Sequence, residues 1–145
     1  MEFLKHSRSE DCPMAPLKAN EPVRLETLVG AWINTSPSGP GVAKLIVTQE
    51  AGAPYLHIFG SGSPSPIDWG SVPIETLYTK DVSSAEPMAF DARYDLGFMD
   101  VHIQGNFSLG LLVLACFNTF KDGSNRSNYF SREFFHREIR EGLKE

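Results

Sequence analysis

The chain has no cluster of basic residues, no long apolar run and only two cysteines, and each shortage removes a class of function. Thirteen Lys and Arg against eighteen Asp and Glu leave a net charge of -5. No stripe of cations follows, of the kind that tracks a phosphate backbone, so nucleic acid is not an expected partner. The longest strongly apolar stretch, Leu109 to Phe117 with one glycine, falls short of the roughly twenty residues that a membrane-spanning helix needs and reads as a buried strand; no membrane partner is expected. Cys12 stands in a polar leader and Cys116 in that apolar run, so a disulfide would tie a tail to a core strand, and two reduced thiols are expected instead. The opening residues Met1-Glu-Phe-Leu-Lys-His lack an apolar segment followed by a small-residue cleavage site, which gives a cytoplasmic protein as the expectation. The four His and two Cys show no paired spacing for a metal, so no metal site is expected. There is no Gly-x-Ser-x-Gly elbow and no phosphate-binding glycine loop between a strand and a helix, so the sequence calls for no cofactor.

What the chain does have is a regular succession of strand signals in a length of 145 residues, enough for one domain. Residues 1–21 mix charge and proline with little periodicity and read as a flexible leader, leaving residues 22–145 as a single β-barrel domain. Val23 to Val29 reads as a short turn delivering the chain to a first strand, Gly30-Ala-Trp-Ile-Asn. Val42 to Gln49 and Tyr55 to Gly60 form a hairpin around Ala51-Gly52-Ala53-Pro54. The segment from Ser61 to Gly70 carries two prolines, which cannot donate to a ladder, and reads as a connection despite containing Trp69. Further strands run from about Val72 to Tyr78, Met88 to Asp95, Phe98 to Asn106, Leu109 to Phe120 and Asn128 to Arg137. No segment of the body shows a 3.6-residue apolar stripe. The expected fold is therefore all-β, an antiparallel up-and-down barrel of about eight strands, with a two-sheet sandwich as the alternative.

Two likenesses rest on short motifs. Leu28-Val-Gly30-Ala-Trp32-Ile-Asn resembles the Gly-x-Trp opening strand of the calycin group, which comprises lipocalins, fatty-acid-binding proteins and avidins. The resemblance implies a lipocalin-like barrel in which Trp32 closes one end beneath an Arg of the last strand, Arg137 or Arg132. The segments Trp32-Ile-Asn-Thr, Gly60-Ser-Gly-Ser-Pro-Ser-Pro-Ile-Asp-Trp-Gly and Ser127-Asn-Tyr-Phe-Ser-Arg resemble a group of small microbial domains whose loop reads Trp-Gly-x-Cys-x-Pro-x-x-Cys-Asp-Trp-Gly. Gly62 and Ile67 stand where that loop carries its two cysteines, so the loop disulfide of the pattern is absent here.

Strand alternation sorts candidate site residues into faces. Met88, Phe90, Ala92 and Tyr94 form an apolar set expected to point inward. In the next strand Asp100, His102 and Gln104 oppose Met99, Val101 and Ile103. Asp100 and His102 therefore face water, unless they line a cavity, in which case His102 is the best general acid or base and Asp100 its orienting group. His57, between Tyr55 and Phe59, competes for that role. The last strand alternates Phe130, Arg132, Phe134 and His136 with Tyr129, Ser131, Glu133, Phe135 and Arg137, and neither set is plainly outside. Arg132 either receives a carboxylate, as its resemblance to the inward Arg of fatty-acid-binding barrels implies, or pairs at the surface with Glu133 or a neighbouring strand.

The leading expectation is a barrel enclosing a small, largely apolar organic molecule. Trp32, Tyr55, Trp69, Phe90, Tyr94 and Phe134 would grip it, and Arg132 or a His would orient it. A cofactor-independent cyclase or isomerase of natural-product biosynthesis would use the same pocket, with His102, His57 and Asp100 as its catalytic candidates. The third class is an interaction domain with a filled core. Leu109 to Phe117 is apolar on both faces, so something must cover its outer side, either the N-terminal segment of the same chain or a second subunit in a homodimer.

Overall fold

The computed structural model describes residues 23–36, 39, 41–62 and 65–138; the expected leader and Cys12 lie outside them. The described chain is all-β, a single antiparallel sheet of nine strands in an up-and-down order. In chain order these are β1 (Gly30–Asn34), β2 (Val42–Glu50), β3 (Ala53–Gly60), β4 (Ile67–Pro73), β5 (Thr76–Thr79), β6 (Pro87–Asp95), β7 (Met99–Ser108), β8 (Leu111–Phe120) and β9 (Tyr129–Arg137). In space they run β4-β3-β2-β1-β9-β8-β7-β6-β5. The first strand therefore pairs with the last, and the two edge strands are consecutive in the chain. The sheet curls into a half-barrel around one core. Among the described residues no helix is long and apolar enough to cross a membrane.

The ninth strand comes from the segment expected to be the fourth. Prolines confine the connection to the residues before Ile67, so Asp68, Trp69 and Gly70 pair with β3 rather than forming a loop. The strand then changes partner. Ile74 N–H still donates to Pro54 C=O, whereas the next amide, Glu75 N–H, donates to Asp91 C=O, on β6. One extended segment thus faces β3 with its first half and β6 with its second, and these two halves are the sheet's two edges.

Alternation puts one apolar set from every long strand into the same interior. Leu45, Leu56, Ile58, Ala92, Ile103, Leu112 and Phe135 are each 0 % exposed. Phe90 packs over Gly105, its cross-strand neighbour, where an added Cβ would lie 2.4 Å from the ring. An aromatic ring here covers backbone that a side chain would otherwise occupy. Met88 leaves the inward set. A register shift between Tyr78 and Thr79 leaves it without a partner on β5, and it turns outward while Pro87 is buried.

The seam between the edges is spanned by Tyr94. A second register shift, between His57 and Phe59, leaves Ile58 without a partner on β4. Its N–H donates instead to the Tyr94 hydroxyl at 3.1 Å. The single hydroxyl proton is directed to Gly70 C=O at 2.7 Å, with Leu56 C=O at 3.1 Å beside it. Burial pushes the phenol up to about 12, so it stays a donor at any physiological pH.

At one end Trp32, buried to 3 % exposure, donates from Nε1 to Leu28 C=O at 3.0 Å. Arg137 rather than Arg132 covers it, with the guanidinium 4.4 Å from the ring centre and its nitrogens donating to Val29 and Thr27 carbonyls. Gly30, at φ 135°, makes room: a Cβ there would lie 2.6 Å from Arg137 Nη1. Glu133 faces inward and accepts from Asn34 Nδ2 and Val42 N–H, so it is not the surface partner of Arg132.

Two consequences are measurable. Tyr94→Phe leaves a buried N–H and C=O unpaired and should cost about 1–3 kcal/mol in a denaturant titration, with hydrogen-exchange protection lost first at Ile58. The hairpin tips Ala51-Gly52 and Leu109-Gly110 both have positive φ at both positions, as a type I′ turn requires. Leu109 sits there at φ 53° and 99 % exposed, a conformation Asn tolerates better. Leu109→Asn should stabilise the monomer fold by roughly 0.5–1 kcal/mol; an unchanged unfolding midpoint would contradict the assignment of strain to this turn.

Candidate functional site on the outer face

The structure divides the residues singled out in the sequence between two surfaces. Trp32, Phe90 and Tyr94 point into the packed interior. Trp69 lies at the seam, edge-on to Tyr94 with ring centres 5.4 Å apart, and its Nε1 occupies the space beside Gly60. Tyr55, His57, Asp100, His102, Arg132 and Phe134 share the opposite, outer face, since they alternate with the buried Leu56, Ile58, Met99, Val101 and Phe135. The aromatics expected to grip one molecule are therefore not gathered in one place. The grooves of about 630 and 400 Å³ that the described residues line are both open to the outer face of β6–β9.

Two His–Asp pairs form on that face, and in neither is the carboxylate Asp100. His57 Nε2 lies 2.6 Å from Asp68 Oδ1, with its ring stacked on Phe59 at 4.6 Å. The same oxygen accepts from Gly70 N–H at 2.7 Å. The hydrogen bond from His57, then that from Gly70, hold the Asp68 carboxyl below the ordinary carboxylate range. His102 Nε2 is 3.6 Å from Asp91 Oδ2, beyond hydrogen-bond reach, and both His102 Nε2 and Asp91 Oδ1 are buried atoms without a hydrogen-bond partner. Asp100 is engaged elsewhere: Lys121 Nζ bridges it at 2.9 Å to Asp95 at 2.8 Å, across the β6–β7 turn.

The centre of the face is apolar. Phe117, Phe130 and Phe134 are 43, 53 and 40 % exposed, and the first two rings stand 5.0 Å apart. Ala115 lies between the longer side chains as a floor, opposite Arg132 on one side and Gln104 on the other. Every other described arginine has a partner: Arg24 has Glu86, Arg93 has Glu75, Arg126 has Asp122 and Arg137 has backbone carbonyls. Among the described residues Arg132 has none, although it is set among phenylalanines in an acidic protein.

The sequence reading missed Asp68, Asp91, Phe117 and Phe130 as site residues. Alternation already placed Phe130 on the face of Arg132 and Phe134. Pairing β8 with β9 in register, which no local signal specifies, is what brings Phe117 to the same patch. Cys116 points inward, and burial pushes its thiol up to about 12, aided by the charge of Glu133 and opposed by a hydrogen bond with Ser131; a thiol in that state is inert at neutral pH. Gly62 and Ile67 abut, so that a Cβ on Gly62 would lie 2.8 Å from Ile67 Cγ1. The two positions that carry cysteines in the resembled loop are thus neighbours in space.

The chain matches no family model, no curated protein and no solved structure.

The Asp68 assignment has a testable sign. Its carboxyl is depressed in the folded state, so the stability it contributes is present above the unfolded value near pH 4 and is lost as pH falls through the folded value. His57→Ala should raise the Asp68 midpoint, read from its side-chain carboxyl carbon by NMR, and shift acid unfolding to higher pH. A midpoint that does not move would show that Gly70 N–H alone sets it.

Proposed function

We propose that this chain is an interaction domain, a half-barrel with a filled core that receives a polypeptide partner on the outer face of β7, β8 and β9. One observation carries this reading: three phenylalanines that line one groove, Phe117, Phe130 and Phe134, stay 40 to 53 % exposed on a regular sheet face. Exposed apolar clusters of this kind are uncommon on monomers and mark contact surfaces. Arg132 stands between Phe130 and Phe134, and Gln104 and Asn106 line the same groove, a mix of apolar and polar groups such as contact surfaces carry.

The calycin-like reading belongs to the same proposal, supported by the stacking of Arg137 on Trp32 at 4.4 Å. It would supply an architecture and not a ligand. A small molecule inside would have to displace side chains such as Phe90, Phe135 and Leu56, and each large apolar group taken out of the core costs on the order of 2–5 kcal/mol. Of the two His–Asp pairs, His57–Asp68 sits in the open with the carboxylate 60 % exposed. In the more buried one His102 Nε2 stands 3.6 Å from Asp91, beyond hydrogen-bond reach, so neither has the geometry of a proton-transfer site shielded from water.

The test is native mass spectrometry of the full chain purified from its own cells, with Phe117→Ser/Phe130→Ser beside the wild type. Wild type should carry a polypeptide partner, of its own mass or another, that the variant loses while its thermal midpoint stays within about 3 °C. A bare polypeptide holding one small molecule in both proteins would overturn the reading in favour of an interior ligand.

A further inference from the structure

We propose that the partner is a second copy of this chain, docked face to face about a two-fold axis that runs between β7 and β8, along the strands. The inference rests on the interaction reading above and names its occupant.

The outer face carries an unpaired cation and an incompletely paired anion at the two ends of one cross-strand row. Reading across the sheet in register, that row is Asp91, Gln104, Ala115, Arg132. Asp91 and Arg132 are three strands apart, on the order of 14 Å, so they do not meet within one chain. Arg132 has no partner among the described residues, and Asp91 has one oxygen 3.6 Å from a His nitrogen and the other with no hydrogen bond. A two-fold axis midway along the row exchanges its ends. Arg132 of each copy then lies over Asp91 of the other, where a turn of the carboxylate about its Cβ–Cγ bond meets the guanidinium. One symmetry operation satisfies both charges twice, as an isologous contact must.

The neighbouring rows obey the same operation. Arg93, His102, Phe117 and Phe130 form one. Exchanging its ends sets Phe130 against Arg93 and Phe117 against His102, giving a cation over a ring and a ring against a ring. Ala89, Asn106, Val113 and Phe134 form the other. There Phe134 meets Ala89, the smallest side chain in the row, which leaves space for it.

The curl of the sheet makes the outer strands fall away from the axis, so a contact between two convex faces needs short side chains in the middle and long ones at the flanks. On β8 the short Ala115 and Val113 lie beside the axis, with Gln104 and Asn106 across it on β7 and the His102–Phe117 pair towards one end, while Arg132, Phe130 and Phe134 on β9 and Arg93 on β6 flank it. Leu109 adds an independent sign. It is 99 % exposed at the tip of the β7–β8 hairpin, hence at the end of the axis, where the two copies bring their Leu109 side chains together.

Sedimentation velocity of the full chain across a concentration series tests the pairing by charge reversal. Wild type should dimerise. Arg132→Asp and Asp91→Arg should each weaken the dimer on the order of ten-fold or more, and the double reversal should recover most of that loss while every thermal midpoint stays near wild type. Losses that add in the double variant overturn the proposed axis. A wild type that stays monomeric up to about 1 mM overturns the second copy as partner and leaves the interaction reading to the mass measurement above. A dimer that survives both reversals and Phe117→Ser uses another surface, and overturns the two readings together.

Discussion

One hydroxyl group governs the shape of this molecule. The sheet has two edges, β4 and β5, and backbone pairing does not join them to each other. An open seam in an all-β protein exposes unpaired N–H and C=O groups, each costly if buried unpaired and a template for aggregation if left exposed. Here the seam is bridged from inside by Tyr94, which stands on β6 and reaches across to β3 and β4. It accepts from one strand and donates to the other, and its burial ensures that it keeps the proton needed to do so. The bulge at Ile58 is the necessary counterpart: without it that N–H would belong to the β3–β4 ladder and Tyr94 would have nothing to accept.

Bridging the seam with a large inward side chain helps to fill the half-barrel. Tyr94, Trp32 beneath Arg137, Phe90 and Phe135 all belong to one core cluster. Polar groups that enter the interior are satisfied there, as when Glu133 takes the Asn34 amide and the Val42 N–H. The charges left without partners are consequently on the outside, together with the apolar surface left without a cover. The proposed docking surface is on the convex face because the concave one is occupied by core side chains.

Much of the fold was legible in the chain because strand alternation and turn chemistry are local. Met99 to Phe107 alternates without a break, and Ala51-Gly52 marks its hairpin unaided. What failed did so for non-local reasons. The bulges that turn Met88 outward and release Ile58 exist only as mismatches between two paired strands. The strand from Ile67 was hidden by its preceding prolines, and its switch of partner at Ile74 and Glu75 depends on β6, whose residues lie later in the chain. The site was less legible still. Proximity along one strand suggested Asp100 for His102, but two residues apart on one face are about 7 Å from one another, whereas the diagonal neighbour on the next strand, Asp91, comes to 3.6 Å. The same logic paired His57 with Asp68, from a segment read as a loop.

The double apolarity of β8 can now be given a physical reading. Its inward set, Leu112, Leu114 and Cys116, is the core, at 0 to 3 % exposure. Its outward set runs from Val113 at 7 % to Phe117 at 43 % exposure, so the cover supplied by neighbouring strands thins toward one end. A strand that needed only to fold could carry polar residues on that outer side, as β7 does with Asp100, Gln104 and Asn106. Monomer stability does not require Phe117, Phe130 and Phe134 to cluster beside an unpaired Arg132, and exposed β-branched or charged residues would serve the sheet as well. The apolar patch and the lone guanidinium line the same groove, over Ala115. Apolar area supplies affinity without direction, while a charge that lacks a partner in its own chain supplies orientation. In the proposed dimer the patch would supply the affinity, and Arg132 and Asp91, at the two ends of one cross-strand row, would fix the orientation.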